Sequence, residues 1–191
     1  MSNLMEWDEL NLLRSSVEDL LRSYRNERDK AVRDGIADRW CDYMEFVLCL
    51  VYAYGWKDAE EIVGIVPFRD GLDDKAVNLD IKGESWRERI FSQLDEDSAD
   101  GILRIIDTEA HRDYNTGVVN AGQESGVPGI KKQWLTMMDD RVRETHDYLE
   151  GMIVNLEDRF YTFDGDSARF PGDFSLPENN CNCRCSIALL L

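Results

Sequence analysis

The stretch 125–136, Ser-Gly-Val-Pro-Gly-Ile-Lys-Lys-Gln-Trp-Leu-Thr, divides the chain into two textures. Its glycines and its proline close what precedes them and turn the chain. Upstream, apolar residues return every three or four positions, the period of an amphipathic helix. Downstream, Ile130 to Thr136 and Met152 to Leu156 are short runs with β-branched or aromatic residues, bounded by turn residues, and they read as strands. Phe160 to Phe163, then Asp-Gly-Asp and Arg169-Phe170, predict a hairpin-like excursion, and Cys183 to Leu191 a final strand. Helices first and strands later predict an α+β fold: an N-terminal helical region, then a domain of helices packed on a small, mainly antiparallel β-sheet.

Working back from that divide, a helix is expected over Ser98 to Ala121 and a shorter one over Glu84 to Leu94. His111 is expected as an exposed helix residue, and Asp95-Glu96-Asp97 as a solvated turn. The polar stretch 69–83 is the expected connector between a helical region 1–68 and a domain 84–191. In the first region Leu4, Trp7, Leu10, Leu13, Val17, Leu20, Leu21 and Tyr24 draw one helical stripe, with Asn3 and Glu6 placed as a capping box. A second helix is expected from about Asp38 to Tyr54, stopped by Gly55 as a left-handed residue, and a short third from Asp58 to Val66, ended by Pro67. On this division the segment beyond the connector should fold without residues 1 to about 66.

Composition narrows the function. The 191 residues carry 39 acidic and 22 basic side chains, a formal charge of −17, and both halves are negative. A nucleic-acid binder needs a basic face to displace counterions, so tight DNA contact is disfavoured, leaving only a local patch at Arg141 and Arg143. The start carries acids in place of a basic leader segment, and the longest apolar run, Phe46 to Tyr54, is far short of a membrane span. Five cysteines and no leader point to a reducing compartment, in which Cys41 and Cys49 serve as small buried hydrophobes.

Three pieces of the C-terminal half follow in order. Lys132-Gln-Trp134 leads to Asp140-Arg-Val-Arg-Glu-Thr-His146 and Leu149-Glu-Gly151; Phe170-Pro171-Gly172-Asp173 comes next; Asn182-Cys183-Arg184-Cys185 closes the set. With Thr108-Glu109 on the preceding helix, this ordered set resembles the phage Mu F-like head-morphogenesis (minor capsid) family over roughly residues 80 to 191. The resemblance implies a virion component inside the capsid at the portal vertex, made in the bacterial host cytoplasm. Its implied partners are the portal protein and/or the major capsid protein, with no membrane and no oligomer outside the virion assembly. It implies a part in head assembly and DNA delivery and no enzymatic activity. Many relatives carry further C-terminal domains, including toxin-like enzymes; this chain ends six residues past Cys185.

Two readings of the motif residues stay open. His146 with Cys183 and Cys185, and with Cys181 if the run 181–185 is one extended strand, offers imidazole and thiolate ligands for zinc. The resemblance also implies a metal at the histidine and the cysteine pair. Alternatively the thiols fill a tight core and His146 is hydrogen-bonded within it; the spacing C-x-C lacks the longer loop of common zinc knuckles. Likewise Asp140, Arg143 and His146 would share a helix face if this segment were helical. With Arg141 they are then either a buried polar brace or the acid–base cluster of a metal-dependent or nuclease-like enzyme. A zinc-stapled binding module is the third class.

Overall fold

The computed structural model describes residues 8–68, 76–78 and 83–191. The predicted first helix is two, α1 (Asp8–Ser15) and α2 (Val17–Asn26). Across Ser16 the hydrogen bonding hardly breaks: its N–H reaches the carbonyls of Leu12 and Leu13, and its own carbonyl accepts from Leu20. The predicted stripe is buried from Leu10 to Tyr24; Leu4, Trp7 and the Asn3–Glu6 cap lie outside the described residues. The Asp29 carboxylate then accepts from the backbone of Ala31 and Val32 and starts α3 (Lys30–Val63).

Helix α3 corrects three expectations at once. It runs 34 residues without a break through Gly35 and Gly55, and it absorbs the predicted short third helix. It ends instead at Gly64, in the left-handed region with φ 82°. Gly55 serves a different need, because α5 (Ala99–Glu124) crosses α3 there. A Cβ on Gly55 would stand 2.0 Å from the Tyr114 carbonyl oxygen, and one on Gly117 would stand 2.1 Å from that of Tyr52. The two glycines let the helix backbones touch.

Before α5 comes α4 (Trp86–Asp95), opened by a capping box in which Ser85 and Glu88 bond each other's backbone N–H groups. Ser98 caps α5 by accepting from Gly101 N–H. Helix α5 is covered on most sides, by α2, α3 and α4 and by the sheet. The sheet has the order β2-β1-β5, all antiparallel. Strand β1 (Lys131–Leu135) pairs Gln133 with Ile153 of β2 (Ile153–Asn155) and with Ala188 of β5 (Ser186–Leu190). A two-stranded hairpin, β3 (Phe160–Tyr161) with β4 (Ser167–Ala168), matches the predicted excursion. Two single-turn helices, α6 (Glu144–Asp147) and α7 (Pro177–Asn180), complete the α+β arrangement.

One hydrophobic core runs from Leu10 through α3 and α5 to Leu189. The stretch 69–83 therefore separates two regions of sequence and not two cores. Removing residues 1–66 would strip α3 from α5 and bare the face that Gly117 presents.

Candidate metal centre and its braces

The loop after β1, the helix α6 and the segment 181–185 meet beneath the sheet edge. His146, on α6, is 1% exposed. Its Nδ1 lies 3.5 Å from Cys183 Sγ and 3.4 Å from Cys185 Sγ. The ring is held flat: it stacks on Phe174 at 5.2 Å and meets Trp134 edge-on at 5.5 Å. These three donor atoms lie within 4.8 Å of one another, the grouping among the described residues that suits a metal ion.

The three donors fit three corners of a tetrahedral site. Zinc bonds to nitrogen and sulfur at tetrahedral angles subtend an N···S edge of about 3.6 Å, close to both observed separations. The thiols are electrostatically unequal. A hydrogen bond from Cys185, helped by Arg143 and Arg184, lowers the Cys183 thiol below its usual pKa in spite of burial. The same hydrogen bond, with burial, raises that of Cys185. Of the two sulfurs, Cys183 is the readier to become thiolate, the form that binds a cation. His146 Nε2, Trp134 Nε1 and Arg143 Nη1 are buried beside the cluster with no hydrogen-bond partner among the described residues.

Cys181 stays outside this grouping. The run 181–185 is not one strand: Asn182 adopts φ 56° and turns the chain, and β5 begins only at Ser186. What Cys181 contributes is its carbonyl, which accepts from Arg143 Nη2 at 2.6 Å. The proposed helical face of Asp140, Arg143 and His146 is also absent. Residues 139–143 form a turn in which the Asp139 carboxylate accepts from Arg141 N–H, Met138 takes φ 51°, and helix starts only at Glu144. Asp140 is exposed, and the Arg141 side chain is 73% exposed. The working carboxylate is the neighbour, Asp139, which accepts a bidentate pair from Arg184 at 2.8 and 2.5 Å. That pair holds the Asp139 carboxyl down at about 2. Arg143 and Arg184 therefore tie the two sides of the cluster together, one to a carbonyl and one to a carboxylate.

The remaining motif residues build the floor. Lys132 is fully buried; its ammonium donates to the Leu156 carbonyl at 2.6 Å and lies 5.6 Å from the Phe160 ring centre. Burial pushes its pKa down to about 8. Trp134 packs on Phe160 and Phe174 as well as on His146. Gly151, at φ 73°, returns its N–H to the Trp134 carbonyl. Pro171 and Gly172 are buried; Gly172 has φ 98°, and a Cβ there would stand 2.9 Å from Arg112 Cα. Asp173 anchors the same turn by accepting from the backbone and guanidinium of Arg169.

Beneath that turn lies a network that the sequence reading missed. Glu109, fully buried on α5, takes Arg89 at 2.6 Å and Arg112 at 2.7 Å, and Arg112 lies 3.4 Å from the buried Asp113. His111, expected in solvent, is buried, and burial lowers its pKa to about 4. The signal available was Glu109-Ala-His-Arg-Asp113, five consecutive residues, four of them polar, in the middle of a long helix. A helix buried on most sides has no solvent face for them, so they must pair with one another.

Burial, against the opposing pull of Arg112, raises Asp113 to about 8. A carboxyl raised on folding contributes stability that is complete below the unfolded value near 4 and lost as pH climbs through the folded one. His111 acts in the opposite sense, its contribution present above about 6.5 and lost as pH falls toward 4. The two offset each other between about 4 and 6.5, and from there to about 8 the decline from Asp113 runs on without opposition from His111. Thermal melts should show stability declining across that upper interval. Asp113→Asn should flatten the decline, and an unchanged slope in the variant would remove Asp113 as its source.

Residues 76–188 match the family described as phage Mu protein F like protein. The chain belongs to that family. Among its curated relatives, this Mu F-like chain is 31% identical over 85 residues to the minor head protein GP7 of Bacillus phage SPP1, covering 44% of this chain and 28% of that protein. It is 34% identical over 127 residues to the NAD(+)–arginine ADP-ribosyltransferase EFV of Enterococcus faecalis, covering 62% of this chain and 26% of that protein. The chain thus spans about a quarter of the length of each. No solved structure gives a significant match. Family and minor head relative together place the chain among phage head-morphogenesis proteins.

Proposed function

We propose that this Mu F-like chain is a minor head protein that joins the assembling capsid at the portal vertex and assists DNA delivery. In this reading its C-terminal module is a rigid docking body with no enzymatic role, closed by a zinc ion at His146, Cys183 and Cys185. The carrying observation is the placement of the His146 Nδ1 within 3.5 Å of both thiols, inside a frame where Arg143, Arg184, Lys132 and Asp173 are all engaged in bracing. Bound zinc would supply a cross-link between α6 and the segment entering β5. A general base needs reach to a substrate proton, and His146 is buried between two aromatic rings with its Nδ1 turned to sulfur. The charge of −17 favours a protein partner, the portal or the major capsid protein, over DNA. Among the described residues no helix is long and apolar enough to cross a membrane.

The test is co-sedimentation of the purified chain with portal rings encoded in the same genome, before and after zinc is removed by chelation. Binding that falls with zinc loss is expected. Failure of the metal-loaded chain to sediment with the ring would overturn the portal assignment, and undiminished binding after chelation would separate docking from the metal.

A further inference from the structure

The middle of α3 is apolar on all sides, a pattern of helices covered all round. One face, with Met44, Val47, Leu48 and Val51, is buried in the core. On the other, Tyr43, Phe46 and Tyr54 are 37, 57 and 39% exposed, and Leu50 sits half-buried among them. At helical spacing these four fall within an arc of about 80°, and the exposed Arg39, Lys57 and Glu61 lie in the same arc. Among the described residues none of those three charged groups forms an ion pair in this chain. The carboxylates bordering the arc are already engaged. Asp42 and Glu45 pair with Arg87, and Glu60 accepts from Val66 N–H. On a protein of charge −17 the strip itself, with the cations Arg39 and Lys57 and the carboxylate Glu61, is close to neutral.

We infer that this strip is an isologous interface with a second copy of the chain, α3 packing antiparallel on α3 with its two-fold axis at Leu50. The sequence is symmetric in its chemistry about that residue. In such a pair each residue faces the one equally far on the opposite side of Leu50. Leu50 meets Leu50, Phe46 meets Tyr54, Tyr43 meets the ammonium of Lys57, and Arg39 meets Glu61. Each contact except the central one occurs twice, and each joins complementary chemistry: apolar to apolar, cation to ring, cation to carboxylate. The strip extends about 33 Å, enough for a specific if modest interface. This inference does not depend on the head assignment, and it departs from the expectation of no oligomer outside the virion assembly.

Sedimentation equilibrium of the full chain tests it. At about 100 µM the wild type should be dimeric, and Phe46→Asp, a surface change, should leave the helical circular dichroism intact and give monomer. Arg39→Glu should weaken the dimer roughly tenfold, by setting like charges against each other twice. Adding Glu61→Arg should restore it, since the reversed pair is again complementary. A monomeric wild type, a dimer indifferent to Phe46→Asp, or no rescue by the double reversal would each overturn the proposal. A monomer in which Phe46→Asp instead abolishes portal binding would assign the strip to another protein and equally overturn it.

Discussion

Gly117→Ala should destabilise the protein by about 3 kcal/mol or more, enough to show as insoluble expression or as a large loss of the urea midpoint. The added methyl would stand 2.1 Å from the Tyr52 carbonyl oxygen and 3.0 Å from Trp56 N, both backbone atoms of α3. No side-chain rotation relieves that contact, so α3 and α5 must move apart and the buried residues between them lose packing. Gly55→Ala should behave alike, since its methyl meets the Tyr114 carbonyl at 2.0 Å. Gly35 supplies the control on the same helix. There the nearest atom is the Arg39 guanidinium at 3.6 Å, and Gly35→Ala should stabilise by about 0.5–1 kcal/mol through helix propensity alone. If Gly117→Ala melts like the wild type, the close crossing of the two helices is wrong.

The contrast between those glycines shows what periodicity conveys. A stripe such as Leu10 to Tyr24 is legible because a helix with one wet face must alternate along its length. The existence of α4, α5, β1, β2 and the hairpin was legible for similar reasons, with ends displaced by a few residues. Gly55 was not, because a glycine that stops a helix and one that admits another helix look identical in one dimension. Their difference lies in Tyr114, 59 positions away. The interior of α5 defeats the same reasoning: His111 reads as polar and therefore wet only if the helix has a wet face, and this one has almost none.

At the site, the structure shows a wiring that the motif order does not give. Lys132, Trp134, Gly151, Pro171, Gly172 and Asp173 frame one region, and His146 meets Cys183 and Cys185 as the motif order suggested. The helix face drawn through Asp140, Arg143 and His146, and the inclusion of Cys181, both rested on regular structure where there is none. Met138 and Asn182 each take a positive φ without being glycine, and each sits at the point where the assumed helix or strand fails. Short polar loops that aim one carboxylate or one carbonyl at an arginine leave no periodic trace.

Chelation should lower the melting temperature by about 10 °C if zinc closes the module. At free zinc a thousandfold above its dissociation constant, binding to the folded state alone contributes about 4 kcal/mol, and each kcal/mol moves a chain of this size by roughly 2–4 °C. Purified protein should carry about one zinc per chain. His146→Ala and Cys185→Ser should each lose the metal and melt low with or without chelator, because either change leaves only two of the three grouped donors. Cys181→Ser should keep both metal and chelator response, since its thiol lies outside the group and only its carbonyl is used. That last variant distinguishes ligation from generic thiol loss. Zinc far below one per chain, with no response to chelator, would leave the imidazole and thiols as a hydrogen-bonded core, and the brace of Arg143 and Arg184 would then hold the two sides of the cluster unaided.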